Sequence, residues 1–117
     1  MKKLILLFVL SFIISIHSLK AQTYKAADIL GTWELSDKKA KIIFKKSMKF
    51  TYSWQGLTTV ESFNGTYKLI ENKGTTTIEF KRDNGAGWPS KIIKSLSPDK
   101  KKIELKWGTL VETYNKI

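Results

Sequence analysis

The chain has 117 residues, with 21 Lys and Arg against 10 Asp and Glu, a formal net charge of +11, one His and no Cys. The length suits one domain with a modest core. Lack of Cys excludes disulfides, thiol nucleophiles and thiolate metal ligands.

The first element is Met1-Lys2-Lys3 followed by an apolar run from Leu4 to Ile16 and then His17-Ser18-Leu19-Lys20-Ala21. A short basic start, an apolar stretch and a small-residue exit form the pattern of a secretory signal peptide. A helix crossing the hydrocarbon core needs roughly 20 apolar residues, so this run is short for a membrane span. The expectation is a leader over residues 1–21, cleaved after Ala21, and a working domain over residues 22–117 that is periplasmic or extracellular. Cleavage after Ser18 and an uncleaved signal anchor are the alternatives. No Cys follows the apolar run, which excludes a lipid-anchored lipoprotein. Loss of Lys2, Lys3 and Lys20 lowers the formal charge from +11 to +8. Such a surplus favours anionic partners, and export makes nucleic acid the least fitting of them.

Ala26-Ala27-Asp28-Ile29-Leu30 carries the one helical signal, long enough for a single turn. Beyond it the pattern is all-β. Alternating or β-branched runs predict strands over Thr32–Ser36, Lys41–Lys45, Lys49–Trp54, Thr58–Phe63, Thr66–Ile70, Thr76–Lys81, Lys91–Leu96, Lys102–Trp107 and Leu110–Asn115. Turn residues separate them, and Asn64-Gly65 is the sharpest hairpin signal because a type I′ turn needs positive φ at both central positions. Eight strands, or nine, joined by tight turns predict an antiparallel up-and-down barrel, which removes exposed edges; a two-sheet sandwich is the competing architecture. Alternation puts Trp33, Leu35, Phe50, Tyr52, Trp54, Tyr67, Leu69, Ile78, Phe80, Ile103, Leu105 and Trp107 inside. Ile42-Ile43-Phe44 and Ile92-Ile93 are ambiguous by one residue.

Leu30-Gly31-Thr32-Trp33, behind a helical turn and opening the first strand, resembles the Gly-x-Trp signature of the lipocalins, and more closely that of small lipocalin-like domains of exported bacterial proteins. Asn64-Gly65-Thr66-Tyr67-Lys68-Leu69, the stretch Ser95 to Lys100 leading into Ile103-Glu104-Leu105, and a last strand ending in Tyr114 extend the likeness over nearly the whole working domain. The resemblance implies a barrel closed at one end by Trp33 and open to a ligand at the other. It also implies a basic side chain packed on Trp33, for which Lys116 is the candidate; no Arg is available there.

An eight-stranded barrel is just wide enough to be filled by its own side chains or to hold one small ligand. The aromatic load favours a filled interior, with an open cavity as the rival. Tyr52, Trp54, Trp88 and Trp107 are the candidate ligand contacts. Trp88 lies in Arg82–Ser90, read as the longest loop, where it serves as a stacking lid with Arg82 beside it as an anion contact, or as a plug on the barrel end. Glu112 shares parity with Leu110 and Tyr114; facing inward it would bond a tyrosine or a ligand cation. Placing Val111 and Thr113 inside and Glu112 in water is the preferred reading, since carboxylates are rarely buried unpaired.

His17, the sole histidine, falls in the leader, so the working domain lacks Ser-His-Asp catalysis and His-based zinc sites. Glu34, Glu79 and Glu104 alternate with large apolar residues and point outward, which leaves no enclosed carboxylate pair for glycoside hydrolysis. Asp83-Asn84-Gly85 lacks the other ligands of a calcium loop and reads as a turn. The expectation is an exported lipocalin-like binding protein without catalysis, metal or cofactor, holding a small apolar ligand or an anionic envelope component. The alternative is an interaction or inhibitor module with a packed core. Lys38, Lys39, Lys41, Lys45, Lys46, Lys49 and Lys100–Lys102 serve chiefly solubility and protection of strand edges in this reading.

Overall fold

Residues two apart in a strand share a face, and eight segments with that alternation form eight strands in the computed structural model, which describes residues 23–117. The expected leader over residues 1–21 lies outside the described residues. A four-residue helix, α1 (Ala26–Ile29), leads into β1 (Gly31–Leu35), β2 (Ala40–Lys45), β3 (Lys49–Gln55), β4 (Val60–Asn72), β5 (Thr75–Arg82), β6 (Gly87–Leu96), β7 (Lys102–Trp107) and β8 (Leu110–Lys116). Each strand pairs antiparallel with the next, and β1 pairs with β8, so the sheet closes into an up-and-down barrel. Closure gives the first and last strands partners they would otherwise lack.

Opposed residues in an antiparallel pair point to the same face, and the register therefore assembles the core pair by pair. Trp33 opposes Ile42, Phe44 opposes Phe50, Tyr67 opposes Phe80 and Ile103 opposes Tyr114. All eight of these side chains are buried. The two ambiguous runs resolve with Ile42, Phe44 and Ile93 inside. Edge-to-face contacts such as Phe44–Tyr67 and Phe50–Phe80, with ring centroids 5.0 Å and 4.9 Å apart, lock the middle layer; each contributes about 0.5–1.5 kcal/mol beyond its area burial. Trp54 and Trp107, expected inside, sit at the rim instead and are 44% and 41% exposed.

The expected turn at Asn64-Gly65 does not form. Both residues lie inside β4, a single strand of 13 residues where two shorter ones are expected, and this is why the count is eight rather than nine. Gly65 is where β4 passes from one partner to the other, opposite Phe50 on β3 and Arg82 on β5. A Cβ there would lie inside contact distance of the Lys81 carbonyl oxygen and 2.7 Å from Phe50 Cε1. Close approach of backbone, not positive φ, demands this glycine. The Asn64 side chain accepts a 2.6 Å hydrogen bond from Thr51 Oγ1 across the sheet.

Two further expectations change. Trp88 belongs to β6 rather than to a loop; the β5–β6 connection is only Asp83–Ala86. Glu112 faces the interior rather than water, in phase with Tyr114, while Val111 is 37% exposed. Glu112 tolerates this position because it meets a buried cation, Lys91.

The closed end is made by α1. Trp33 donates its indole Nε1–H to the Ile29 carbonyl at 2.8 Å, and both residues are fully buried. Gly31 has φ +125°, a region open to glycine, and its missing side chain leaves room for the stem of Lys116. The Lys116 ammonium lies 5.7 Å from the Trp33 ring centroid, a cation–π distance. Asp28 ties α1 down: it accepts from the Lys25 backbone at 2.9 Å and from Lys100 Nζ at 2.7 Å. The Lys100 hydrogen bond first, and the Lys25 backbone second, hold its carboxyl below the ordinary value of 3.8.

That depression fixes a sign. The contact contributes stability above the ordinary carboxylate range and loses it as pH falls through the lowered folded value. Lys100 is 55% exposed, so the amount is small, about 0.5 kcal/mol. Asp28→Asn is expected to be slightly less stable than the parent at neutral pH. The two thermal midpoints should converge as the scans are moved down to about pH 2.

Candidate functional site

Strands of an up-and-down barrel deliver their turns alternately to two ends. The turns after β1, β3, β5 and β7 gather at the end opposite α1, and the inward residues near those turns line the mouth. Along β3 these are Tyr52 and Trp54, opposed across the register by Phe63 and Glu61 on β4. On β5 it is Arg82, which opposes Gly65 in the register. Together with Trp88 they surround an open pocket of about 230 Å³.

Trp88 enters this group through a break in the ladder. β5 and β6 pair Phe80 with Trp88 and Ile78 with Lys91, so Pro89 and Ser90 stand against the single residue Glu79. One extra residue re-phases the strand, and Trp88 and Lys91, three apart, both point inward. A second bulge between Ile93 and Ser95 does the same for Leu96. Pro89 can sit here because a bulge leaves a backbone N–H without a ladder role.

The result is an aromatic lining. The Trp88 ring lies 4.6 Å from those of Tyr52 and Phe80, 5.5 Å from Phe63 and 5.9 Å from Phe50, nearly parallel to the last. Arg82 lays its guanidinium over Phe63 with Cζ 4.0 Å from the ring centroid. Its Nε is buried and has no hydrogen-bond partner. Beneath the pocket, Lys91 Nζ meets Glu112 Oε1 at 2.6 Å, with the two side chains 5% and 18% exposed. The same ammonium is 4.8 Å from the Trp88 ring centroid and 5.9 Å from those of Trp107 and Tyr114. Burial, followed by the negative charge of Glu112, raises the pKa of Tyr52 above the ordinary phenol value and that of Tyr114 well above it.

Of the expected ligand contacts, Tyr52, Trp54 and Trp88 come together on one wall. Trp107 stands at the rim across the mouth, and Glu112 lies deeper. Lys91 links the two groups, touching both Trp88 and Glu112. Phe63 and Glu61 keep the alternation of β4 and are hidden by the turn expected at Asn64-Gly65, whereas Lys91 is the site residue that alternation misses. Pro89 is the available signal: a proline inside an alternating run marks a bulge, and counting from a bulge turns Lys91 inward. Lys38 and Lys39 lie at the mouth end, while Lys45, Lys46, Lys49 and Lys100–Lys102 lie at the closed end.

Set against known proteins, the chain matches no family model, no curated protein sequence and no solved structure.

Proposed function

We propose that the chain is an exported, non-catalytic, lipocalin-like binding protein that holds a small ligand with an apolar body in its barrel mouth. The observation that carries this reading is the half-buried Trp88, packed among Tyr52, Phe63 and Phe80 with one side on an open pocket. Ring faces left beside open space are surfaces on which an apolar ligand stacks. The pocket, at about 230 Å³, is smaller than the ~300–1,000 Å³ of drug-sized sites, which restricts the occupant to a single substituted ring or the end of a chain. A non-catalytic role agrees with the chemistry of the interior, where Glu112 is already engaged by Lys91.

Native mass spectrometry of the protein purified from its own source is expected to show a retained small molecule. Trp88→Ala is expected to lose it, with affinity for the extracted compound down by about ten-fold or more. A parent protein that carries nothing, and that takes up nothing from an extract of its source, overturns the proposal. The second reading, an interaction module, is favoured by Leu57 and Val60, which stand 106% and 71% exposed beside the β3–β4 turn. It would be left in place by that negative result.

A further inference from the structure

We infer that the ligand of the barrel mouth bears a carboxylate, and that Arg82 binds it. This rests on the mouth being a ligand site. Arg82 is the only arginine of the chain; it pairs with Gly65 across the β4–β5 ladder and its side chain lines the pocket at the mouth. The Phe63 ring supports the guanidinium, with Cζ 4.0 Å from its centroid, and the same side chain lines the pocket. Its buried Nε–H has no acceptor. A buried donor without a partner costs about 1–3 kcal/mol, so Arg82 is left unsatisfied within the free protein, and the part of its side chain that lines the pocket is where an incoming acceptor meets it.

Charge sharpens the class. Among the described residues the mouth interior holds two cations, Arg82 and Lys91, and Lys91 is satisfied by Glu112 at 2.6 Å. Arg82 forms no ion pair within 4.0 Å among the described residues, although Glu61 lines the same pocket nearer the rim. One uncompensated guanidinium beside aromatic walls suits one planar anion attached to an apolar body. A carboxylate accepts two parallel N–H bonds from the arginine fork, in a geometry a lysine cannot reproduce. The apolar remainder would lie against Trp88 and Tyr52.

Matched acids and amides test this directly. Benzoate, phenylacetate and hexanoate, each beside its amide, are titrated calorimetrically into the parent protein, Arg82→Gln and Arg82→Lys. The inference expects at least one acid to bind about ten-fold more tightly than its amide. That gap should close in Arg82→Gln and narrow in Arg82→Lys. Equal affinity for acid and amide would sink the carboxylate while leaving the mouth as a site. A gap that persists in Arg82→Gln would take the role from Arg82. Failure of all six probes to bind the parent would remove the reading of the mouth and the inference with it. Should the variants misfold, the Arg82 Nε–H resonance of the parent protein supplies the readout: it is expected to shift with phenylacetate and not with phenylacetamide, and the absence of such a difference overturns the assignment.

Discussion

Gly65→Ala is expected to destabilise the barrel by about 3 kcal/mol or more, one of the largest effects available to a single methyl group in this protein. The new Cβ would press on the Lys81 carbonyl oxygen and stand 2.7 Å from Phe50 Cε1. Neither neighbour yields cheaply. The carbonyl belongs to β5, which pairs with β4 on both sides of this point, and Phe50 is buried between Phe63, Phe80 and Trp88. Relief requires β4 to move away from β5 at the position where it changes partners. For a domain whose whole stability is of the order of 5–15 kcal/mol, that is a large fraction. Urea denaturation supplies the measurement, and Gly87→Ala the control. At Gly87 no atom lies within 4 Å of an added Cβ, so the change should stay within about 0.5 kcal/mol. Equal stability of the two variants would refute the close-packing account of Gly65 and return Asn64-Gly65 to an ordinary strand dipeptide.

The same dipeptide shows where reading by residue type fails. Asn-Gly serves a hairpin because glycine reaches positive φ, and it serves β4 because glycine has no Cβ; the letters are identical and the physical reasons differ. Regular alternation in β1, β3, β5 and β7 made the barrel and most of its inward residues legible from sequence. β6 was not legible, because its two bulges break period two and give inward residues at Trp88, Lys91, Ile93 and Leu96. Arg82–Ser90 therefore resembled a loop, although only Asp83–Ala86 connects the strands. The hidden phase of Lys91 has a second consequence. A carboxylate goes inside only with a partner, and the partner of Glu112 sits 21 residues earlier on a strand whose phase was hidden. Long-range pairing across one bulge thus decided whether Glu112 belonged to the interior.

That pairing supports the other large effect. Glu112→Gln is expected to cost about 3 kcal/mol, because it leaves the Lys91 ammonium without its counter-ion in a setting where its side chain is only 5% exposed. Lys91→Met should cost less, about 2 kcal/mol, since Glu112 keeps 18% exposure and can draw water from the mouth. Both singles strand a charge. The double variant Lys91→Met with Glu112→Leu strands none, and buried pairs replaced by apolar residues of similar volume are often as stable as the parent or more so. Recovery of at least about 2 kcal/mol relative to the sum of the singles is therefore expected in a denaturation cycle. Additive losses would show that the 2.6 Å contact contributes no coupling. Salt offers an independent check. The surface pair Lys68–Glu79, with side chains 70% and 41% exposed, should weaken as ionic strength rises, while the coupling of Lys91 to Glu112 should persist. A pair that costs stability to desolvate and adds little net gain over an apolar core needs another reason to be present. Its place under the mouth supplies one: with Lys91 and Glu112 cancelling each other, the charge presented to a molecule entering beside Trp88 is left to Arg82 and, at the rim, Glu61.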